Sequence, residues 1–121
     1  MAFSASDPRA ALPLSPSAFH ILLALAERER HGYSISKEVE ATTDGTVKLP
    51  TGTLYRLIKQ MSTDGWIADS EREADKDDDE RRRYYRLTER GRKIAQAEAV
   101  RLDGLVRLAR ERRLLPAVAL G

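Results

Sequence analysis

The sequence contains no cysteine, which excludes disulfide bonds, thiolate metal sites and cysteine nucleophiles and fits a reducing cytoplasm. Long apolar runs are also absent. The longest is Ile21–Ala26, which is far too short to span a bilayer. The N-terminal residues include Asp7, Pro8 and Arg9 where an export signal would need an apolar core. These absences predict a cytoplasmic protein without a membrane partner.

The sequence contains few candidate catalytic or metal-binding residues. The two histidines, His20 and His31, are isolated in the sequence, and two such residues without cysteine do not make a metal site. His31 precedes a glycine and is expected to cap or turn the chain. The sequence contains no glycine-rich phosphate loop and no nucleophile–base pair. We therefore expect no enzyme, no metal and no cofactor.

Aromatic residues make up 6% of the 121 residues and charged residues 33%. This composition predicts one small core beneath a heavily solvated surface, with no second domain. The net charge is only +2, but residues 81–93 are strongly basic and residues 75–80 strongly acidic. A basic segment of this kind can bind phosphates even in a nearly neutral protein. Alternatively, the two segments are solvated surface charges that screen each other.

Capping residues and apolar spacing divide the chain into four parts. Residues 1–14, rich in Ala, Ser and Pro, are predicted to be a disordered arm. Residues 15–87 form the predicted main domain, residues 88–115 a long helix that Pro116 stops, and residues 116–121 a tail. The first three predicted helices run from Ser15 to about Arg28, from about Tyr33 to Thr42, and from the N-cap Thr51 to just before Gly65.

The third helix has an apolar back and a polar, basic front. The expected buried residues are Leu54, Leu57, Ile58 and Met61. The remaining surface carries Thr53, Tyr55, Arg56, Lys59, Gln60 and Thr63. Arginine can pair with guanine and glutamine with adenine, so this front is suited to a DNA groove. The alternative is an ordinary exposed surface, where arginine, lysine and glutamine are common because they favour helices.

Residues 66–71 and 82–87 are predicted to form a two-stranded antiparallel hairpin, because Tyr85 and Leu87 alternate with more polar residues. A basic hairpin after a basic helix is typical of a winged helix-turn-helix on duplex DNA. The three arginines at residues 81–83 are therefore expected to bind phosphates, or else to neutralise the adjacent acidic residues. Tyr33 and Tyr55 can hydrogen-bond phosphates, or lie at the edge of the core.

The long C-terminal helix is predicted to begin at its N-cap, Thr88. Its apolar stripe consists of Leu102, Leu105, Val106 and Ala109. No remaining chain is long enough to cover this stripe, so we expect a second copy of the protein to do so. The alternative is that the helix folds back on its own domain. The predicted fold class is thus mainly α with a small β-hairpin: a winged helix-turn-helix plus a long C-terminal dimerisation helix.

Four short motifs, in order and spacing, resemble the PadR family of bacterial transcriptional regulators. They are His31-Gly32-Tyr33, Gly52-Thr53-Leu54-Tyr55, Asp64-Gly65-Trp66-Ile67, and Arg83-Tyr84-Tyr85-Arg86-Leu87-Thr88 with Gly91. The resemblance covers roughly residues 17–93. It implies a homodimeric repressor that binds a two-fold operator and is often released by a small effector. The sequence differs from the family in its acidic wing tip, and its C-terminal helix lacks the aromatic side chains on which some members stack flat drugs.

We therefore expect a sequence-specific, DNA-binding repressor that binds double-stranded operator DNA as a homodimer. The expected DNA-binding residues are Tyr33, Thr51, Thr53, Tyr55, Arg56, Lys59, Arg82 and Arg83. The alternative function is a winged-helix module that binds other proteins instead of DNA. Salt dependence separates the two, because counterions compete with a DNA contact and not with an apolar protein contact.

Overall fold

The computed structural model describes residues 3–70 and 83–117, which form four α-helices, three short strands and one 3-10 helix. In chain order these are the 3-10 helix Pro8–Ala11, α1 Pro16–Glu27, β1 Arg30–His31, α2 Gly32–Thr42, α3 Thr51–Thr63, β2 Ile67–Asp69, β3 Tyr84–Leu87 and α4 Glu89–Glu111. The order of helices and hairpin agrees with the prediction.

Side chains cap three of the helices as the sequence suggests. The hydroxyl groups of Ser15 and Thr88 and the Nδ1 of His31 each accept a hydrogen bond from the amide of the third helical residue. The prediction for α3 is wrong, because Pro50 is its N-cap and Thr51 is its first helical residue. The reason is that the Pro50 carbonyl already accepts the first helical hydrogen bond, from the Leu54 amide at 2.9 Å.

The sheet contains one strand more than the predicted hairpin. Strands β2 and β3 pair antiparallel, with Ile67 opposite Leu87. Strand β1 joins the other edge of β3, which places Arg30 opposite Tyr85 and gives the order β1-β3-β2. The sequence does not reveal β1, because two polar residues show no alternation and extend only where β3 supplies hydrogen-bond partners.

The core lies between α1, the apolar back of α3 and the start of α4. All four residues of the predicted α3 stripe are buried. They pack in one cluster with Ile21 and Leu22 of α1, with Ile67 and Tyr85 of the sheet, and with Ile94 of α4. Because the apolar side of α3 is fully used in this core, the helix is held firmly with its polar side outward.

One buried arginine belongs to the frame of the domain. Arg30 is 4% exposed, and its guanidinium donates to the Ala24 carbonyl at 3.1 Å and to the Glu27 carboxylate at 2.6 Å. It also donates to Ser34 at 3.0 Å and lies 3.3 Å from the Glu38 carboxylate. Arg30 therefore joins α1 to α2 and cannot contact DNA.

Two glycines fix the place where the end of α3, the sheet and the start of α4 meet. Gly65 has a φ of 78°, a left-handed conformation that ends α3, and the following Trp66 amide donates to the Met61 carbonyl at 2.9 Å. A Cβ on Gly91 would lie 1.9 Å from the Trp66 carbonyl oxygen. Only glycine therefore allows α4 to start so close to this junction.

The predicted disorder of residues 1–14 is wrong for the part nearest the domain. Asp7 caps the 3-10 helix Pro8–Ala11, and Ala11 and Leu14 pack against the core. The Leu14 amide donates to the Glu98 carboxylate of α4 at 2.7 Å. The composition of this segment gives no sign of order, because this hydrogen bond and the core contacts join it to residues far along the chain, Glu98 being 84 residues away.

Helix α4 is shorter than the predicted 88–115, and Pro116 does not end it. It stops at Glu111, because Arg113 takes a left-handed φ of 62°. The Leu114 amide then donates back to the Ala109 carbonyl at 2.9 Å, which closes the helix end.

Three helices followed by a hairpin wing and one long helix make this a winged helix. None of the helices within residues 3–70 and 83–117 has the length and apolar character of a membrane span.

Candidate nucleic-acid interface

The polar side of α3 is the first component of the candidate interface. Thr51, Arg56 and Lys59 are exposed, Tyr55 is 46% exposed, and Thr53 is half-buried. These five residues point away from the buried stripe because the two sets alternate with helical spacing. The structure thus presents the five predicted α3 residues on the accessible side of one rigid helix.

The wing lies beside this face of α3. Tyr55, Lys59, Arg83 and Tyr85 line one open cleft of 370 Å³ between α3 and β3. Asp69 of β2 lies at the same cleft. Burial raises the pKa of Tyr85, and the Asp69 carboxylate raises it further, so the Tyr85 hydroxyl stays protonated at neutral pH. The cleft therefore combines two cationic side chains with phenol groups.

The cations on this surface form no ion pair within the described residues, although the Asp69 carboxylate lines the same cleft. Within residues 3–70 and 83–117, Arg56, Lys59 and Arg83 form no ion pair, whereas Lys93 and Arg107 on α4 pair with Glu89 and Asp103. Cations without a local partner are available for phosphate oxygens. The predicted contact at Arg82 and the acidic run at residues 75–80 lie outside the described residues.

The start of α2 meets α3 at a close contact that the sequence does not reveal as functional. A Cβ on Gly32 would lie 2.7 Å from the Tyr55 hydroxyl oxygen, so the absence of a side chain at Gly32 lets the ring of Tyr55 lie across the start of α2. The motif His31-Gly32-Tyr33 draws attention to this position. Its partner in α3 is visible only in the fold.

Tyr33, at the start of α2, is 60% exposed. The ammonium group of Lys37 lies 5.3 Å from the centre of the Tyr33 ring, in a cation–π contact. His31 also stacks on Tyr33 at 6.4 Å and meets Tyr84 of the wing edge-on at 5.3 Å. The start of α2 is thereby joined to the wing. Lys37 was not among the predicted residues and adds a further exposed cation to this surface.

The predicted dimerisation stripe lies away from this surface, on the part of α4 that extends beyond the core. Leu105 is 51% exposed and Val106 is 41% exposed, while Leu102 and Ala109 are half-buried. Leu23 on α1 is also 46% exposed. Single exposed apolar residues are ordinary, but several on one side of a helix form a surface that a partner can cover.

Comparisons with known proteins agree with this arrangement. The model of the transcriptional regulator PadR-like family matches residues 21–97. A protein of Lysinibacillus sphaericus described only as uncharacterized is 31% identical over 72 residues, which cover 60% of this chain and 64% of that protein. The chain thus spans slightly less than two thirds of the length of this relative.

Solved structures give the same result. A transcriptional regulator from Clostridium thermocellum superposes with a TM-score of 0.63 at 26% identity, covering 78% of this chain and 89% of the other. A PadR family transcription regulator from Clostridium difficile has the same fold, with a TM-score of 0.65 at 20% identity and coverage of 80% and 97%. Because PadR-family regulators are non-enzymatic DNA-binding proteins, the expectation that this chain is not an enzyme is supported. The chain belongs to the PadR-like family of transcriptional regulators, and its fold is a winged helix.

Proposed function

We propose that this regulator is a cytoplasmic repressor that binds a two-fold operator as a homodimer, with α3 in the major groove and the wing along the DNA backbone. The observation that carries the proposal is the cleft in which Lys59 of α3 and Arg83 of the wing face the same space. A helix and a strand that present cations to one space are suited to two neighbouring parts of a duplex.

Each side chain has a distinct role in this proposal. Arg56 and Lys59 reach base edges from the middle of α3, where a long exposed side chain enters the groove. Thr51 and Thr53, near the start of α3, bind phosphate, as the start of a helix favours anions. Tyr55 positions α3 against α2.

The start of α2 and the wing hold the backbone on either side of the groove. Tyr33 donates its hydroxyl to a phosphate, and the Lys37 ammonium beside its ring adds charge at the same place. Arg82 and Arg83 clamp the flanking backbone, because guanidinium groups fit phosphate oxygens. These contacts set the orientation of α3 without reading the sequence.

The homodimer is proposed from the exposed apolar face of α4. One helix of this length, with Leu105 and Val106 uncovered, gains stability when a second copy buries that face. A two-fold pair of subunits also presents two copies of α3 to successive turns of a duplex, so modest contacts combine into specific binding. A dimer bound at a promoter blocks transcription by occupying the site.

Binding to a DNA duplex at increasing salt concentrations tests this function. The logarithm of the affinity should fall linearly with the logarithm of the salt concentration, and Arg83→Ala should reduce that slope by about one. Arg107→Ala is the matched control, because Arg107 lies on α4 and pairs with Asp103. A salt-independent affinity would favour the protein-interaction module instead. An unchanged slope in Arg83→Ala would remove the wing from the proposed interface.

A further inference from the structure

An open cavity lies on the flank of α3, where the exposed Gln60 and Asp64 adjoin the buried Leu57 and Met61. It has a volume of 180 Å³, opens to solvent, and lies between the N-terminal segment on one side and α3 and Trp66 on the other. Ala11 and Leu14 contribute the wall from the N-terminal segment, while Leu57 and Met61 contribute the wall from α3. The cavity is separate from the cleft between α3 and the wing and from the exposed face of α4.

The size and lining of the cavity fit one aromatic ring. An apolar cavity of about 150 Å³ in another protein is known to bind benzene, so 180 Å³ admits a single ring with a short substituent. Trp66 offers the face or edge of its indole ring, and aromatic rings gain from such contacts beyond the area they bury. Met61 adds a thioether, which adapts its shape to a ring.

The charge of the lining distinguishes between possible substituents. Asp64, the C-cap residue of α3, is the one charged residue among those described that lines the cavity. Within residues 3–70 and 83–117 its carboxylate forms no ion pair, and no basic side chain lines this space. A lone carboxylate beside an indole ring favours a cationic group and disfavours an anionic one.

We propose that this cavity is a binding site for a small aromatic ammonium compound, with its ring between Leu57, Met61 and Trp66 and its ammonium group toward Asp64. The site depends on the N-terminal segment, which the hydrogen bond from Leu14 to Glu98 holds over the cavity. The proposal rests on the cavity and its charge, and it stands or falls separately from the proposed function.

Fluorescence provides a direct test, because Trp66 is the sole tryptophan of the chain and lines the cavity. The full-length protein is titrated with benzylamine, which is an ammonium ion at neutral pH. We expect a saturable change in Trp66 emission with a dissociation constant of about 1 mM, as is usual for a ligand of this size. Benzoate has the same ring and the opposite charge, and it should bind at least about tenfold more weakly.

Two variants assign the binding to this cavity. Asp64→Asn should weaken benzylamine binding about twofold to fivefold, as expected for an exposed ion pair. Asp44→Asn, in the turn after α2 and outside the cavity lining, is the matched control and should leave the affinity unchanged. Ala11→Leu fills the cavity from the N-terminal segment and should abolish binding, with a cooperative thermal transition to confirm that the variant is folded.

Three results would overturn the proposal. The first is the absence of a saturable emission change up to about 50 mM benzylamine, well above the expected dissociation constant. The second is equal affinity for benzylamine and benzoate, which would remove the role of Asp64. The third is undiminished binding by a folded Ala11→Leu variant, which would place the ligand elsewhere.

Discussion

At the scale of single residues, the contact between Gly32 and Tyr55 joins two helices of the candidate interface. The space for the Tyr55 hydroxyl exists because Gly32 has no side chain. A side chain at position 32 would meet the far end of a flexible tyrosine rather than backbone, so the protein can adjust by moving that ring. The contact therefore concerns the position of Tyr55 more than the stability of the fold.

Gly32→Ala should therefore weaken DNA binding about threefold to tenfold while leaving the melting temperature within a few degrees, since small shifts in positioning groups affect recognition more than folding. Affinity for an operator duplex and thermal melting are the measurements. In a Tyr55→Ala background the same glycine change should have little further effect. Equal losses in both backgrounds would show that Gly32 acts without Tyr55.

Arg56 is exposed on α3 and has no ion-pair partner among the described residues, so it is available to read a base. Arg56→Ala should cost about 1–3 kcal/mol of binding free energy on a specific site and reduce the base preference at one position. Titrations of specific and unrelated duplexes provide the comparison. If both duplexes lose the same free energy, Arg56 contacts phosphate instead.

Glu98 is 1% exposed, and its carboxylate accepts hydrogen bonds from the Arg101 guanidinium and the Leu14 amide. The hydrogen bond from the Arg101 guanidinium lowers the pKa of Glu98, and the Leu14 amide assists, although burial opposes them. The pKa in the folded state is therefore below the unfolded value of about 4.3. The ionised group stabilises the fold above that pH, and this contribution is lost as the pH falls through the lowered folded pKa.

Glu98→Gln should reduce the free energy of unfolding by about 1–2 kcal/mol at pH 7, because Arg101 and Leu14 lose a charged partner. The variant should also lose less stability than the wild type between pH 5 and pH 3. Urea unfolding at several pH values measures both effects. Glu111→Gln, which removes one exposed carboxylate from the same helix, is the control. Identical pH profiles for wild type and Glu98→Gln would contradict the account.

At the scale of elements, helices with local signals are predictable from the sequence. Ser15 and Thr88 start α1 and α4 because a cap and the following apolar spacing lie within a few residues of each other. Strand β1 has no such signal, since it is ordered by β3 far along the chain. The 3-10 helix has a local cap in Asp7, but the Leu14 amide that follows it is held by the distant Glu98. Tertiary contacts of this kind are invisible in local pattern.

The junction of α4 with the wing gives a sharp test at this scale. Gly91→Ala should destabilise the protein by about 3 kcal/mol or more, because the new Cβ would overlap the Trp66 carbonyl oxygen, which belongs to rigid backbone. Gly104→Ala, in the same helix with open space around it, should instead stabilise by about 0.5–1 kcal/mol. Denaturant unfolding of both variants measures the two changes in the free energy of unfolding. A well-folded Gly91→Ala protein with wild-type stability would contradict the described packing.

At the scale of the whole molecule, the sequence predicts which residues of α3 are exposed in the candidate interface, but not how α2, α3 and the wing are arranged around them. The exposed residues of α3 follow from helical spacing, and the burial pattern of α3 has that spacing. The cleft with Arg83, the support from Gly32 and the cation of Lys37 depend on how α2, α3 and β3 come together. The periodicity of the sequence does not predict these contacts between separate elements. The same holds for Arg30, which lies in a highly charged part of the sequence and is nevertheless buried.

The proposed dimer can be tested on α4. Leu105→Glu should yield monomers in light scattering and weaken binding to a palindromic duplex by at least about tenfold, because a charge in the apolar face disfavours association. Val100→Glu is the matched control, since Val100 is 73% exposed and lies on the opposite side of the helix. A Leu105→Glu protein that remains dimeric would exclude this face as the interface.

The central claim is that two copies of this regulator read one two-fold operator through α3 and the wing. Selection of bound duplexes from random DNA sequences tests it most directly. The account predicts enrichment of an inverted repeat whose half-sites lie about 10 base pairs apart, or a multiple of that spacing. Enrichment of a single unpaired half-site, or no enrichment over the starting pool, would contradict it.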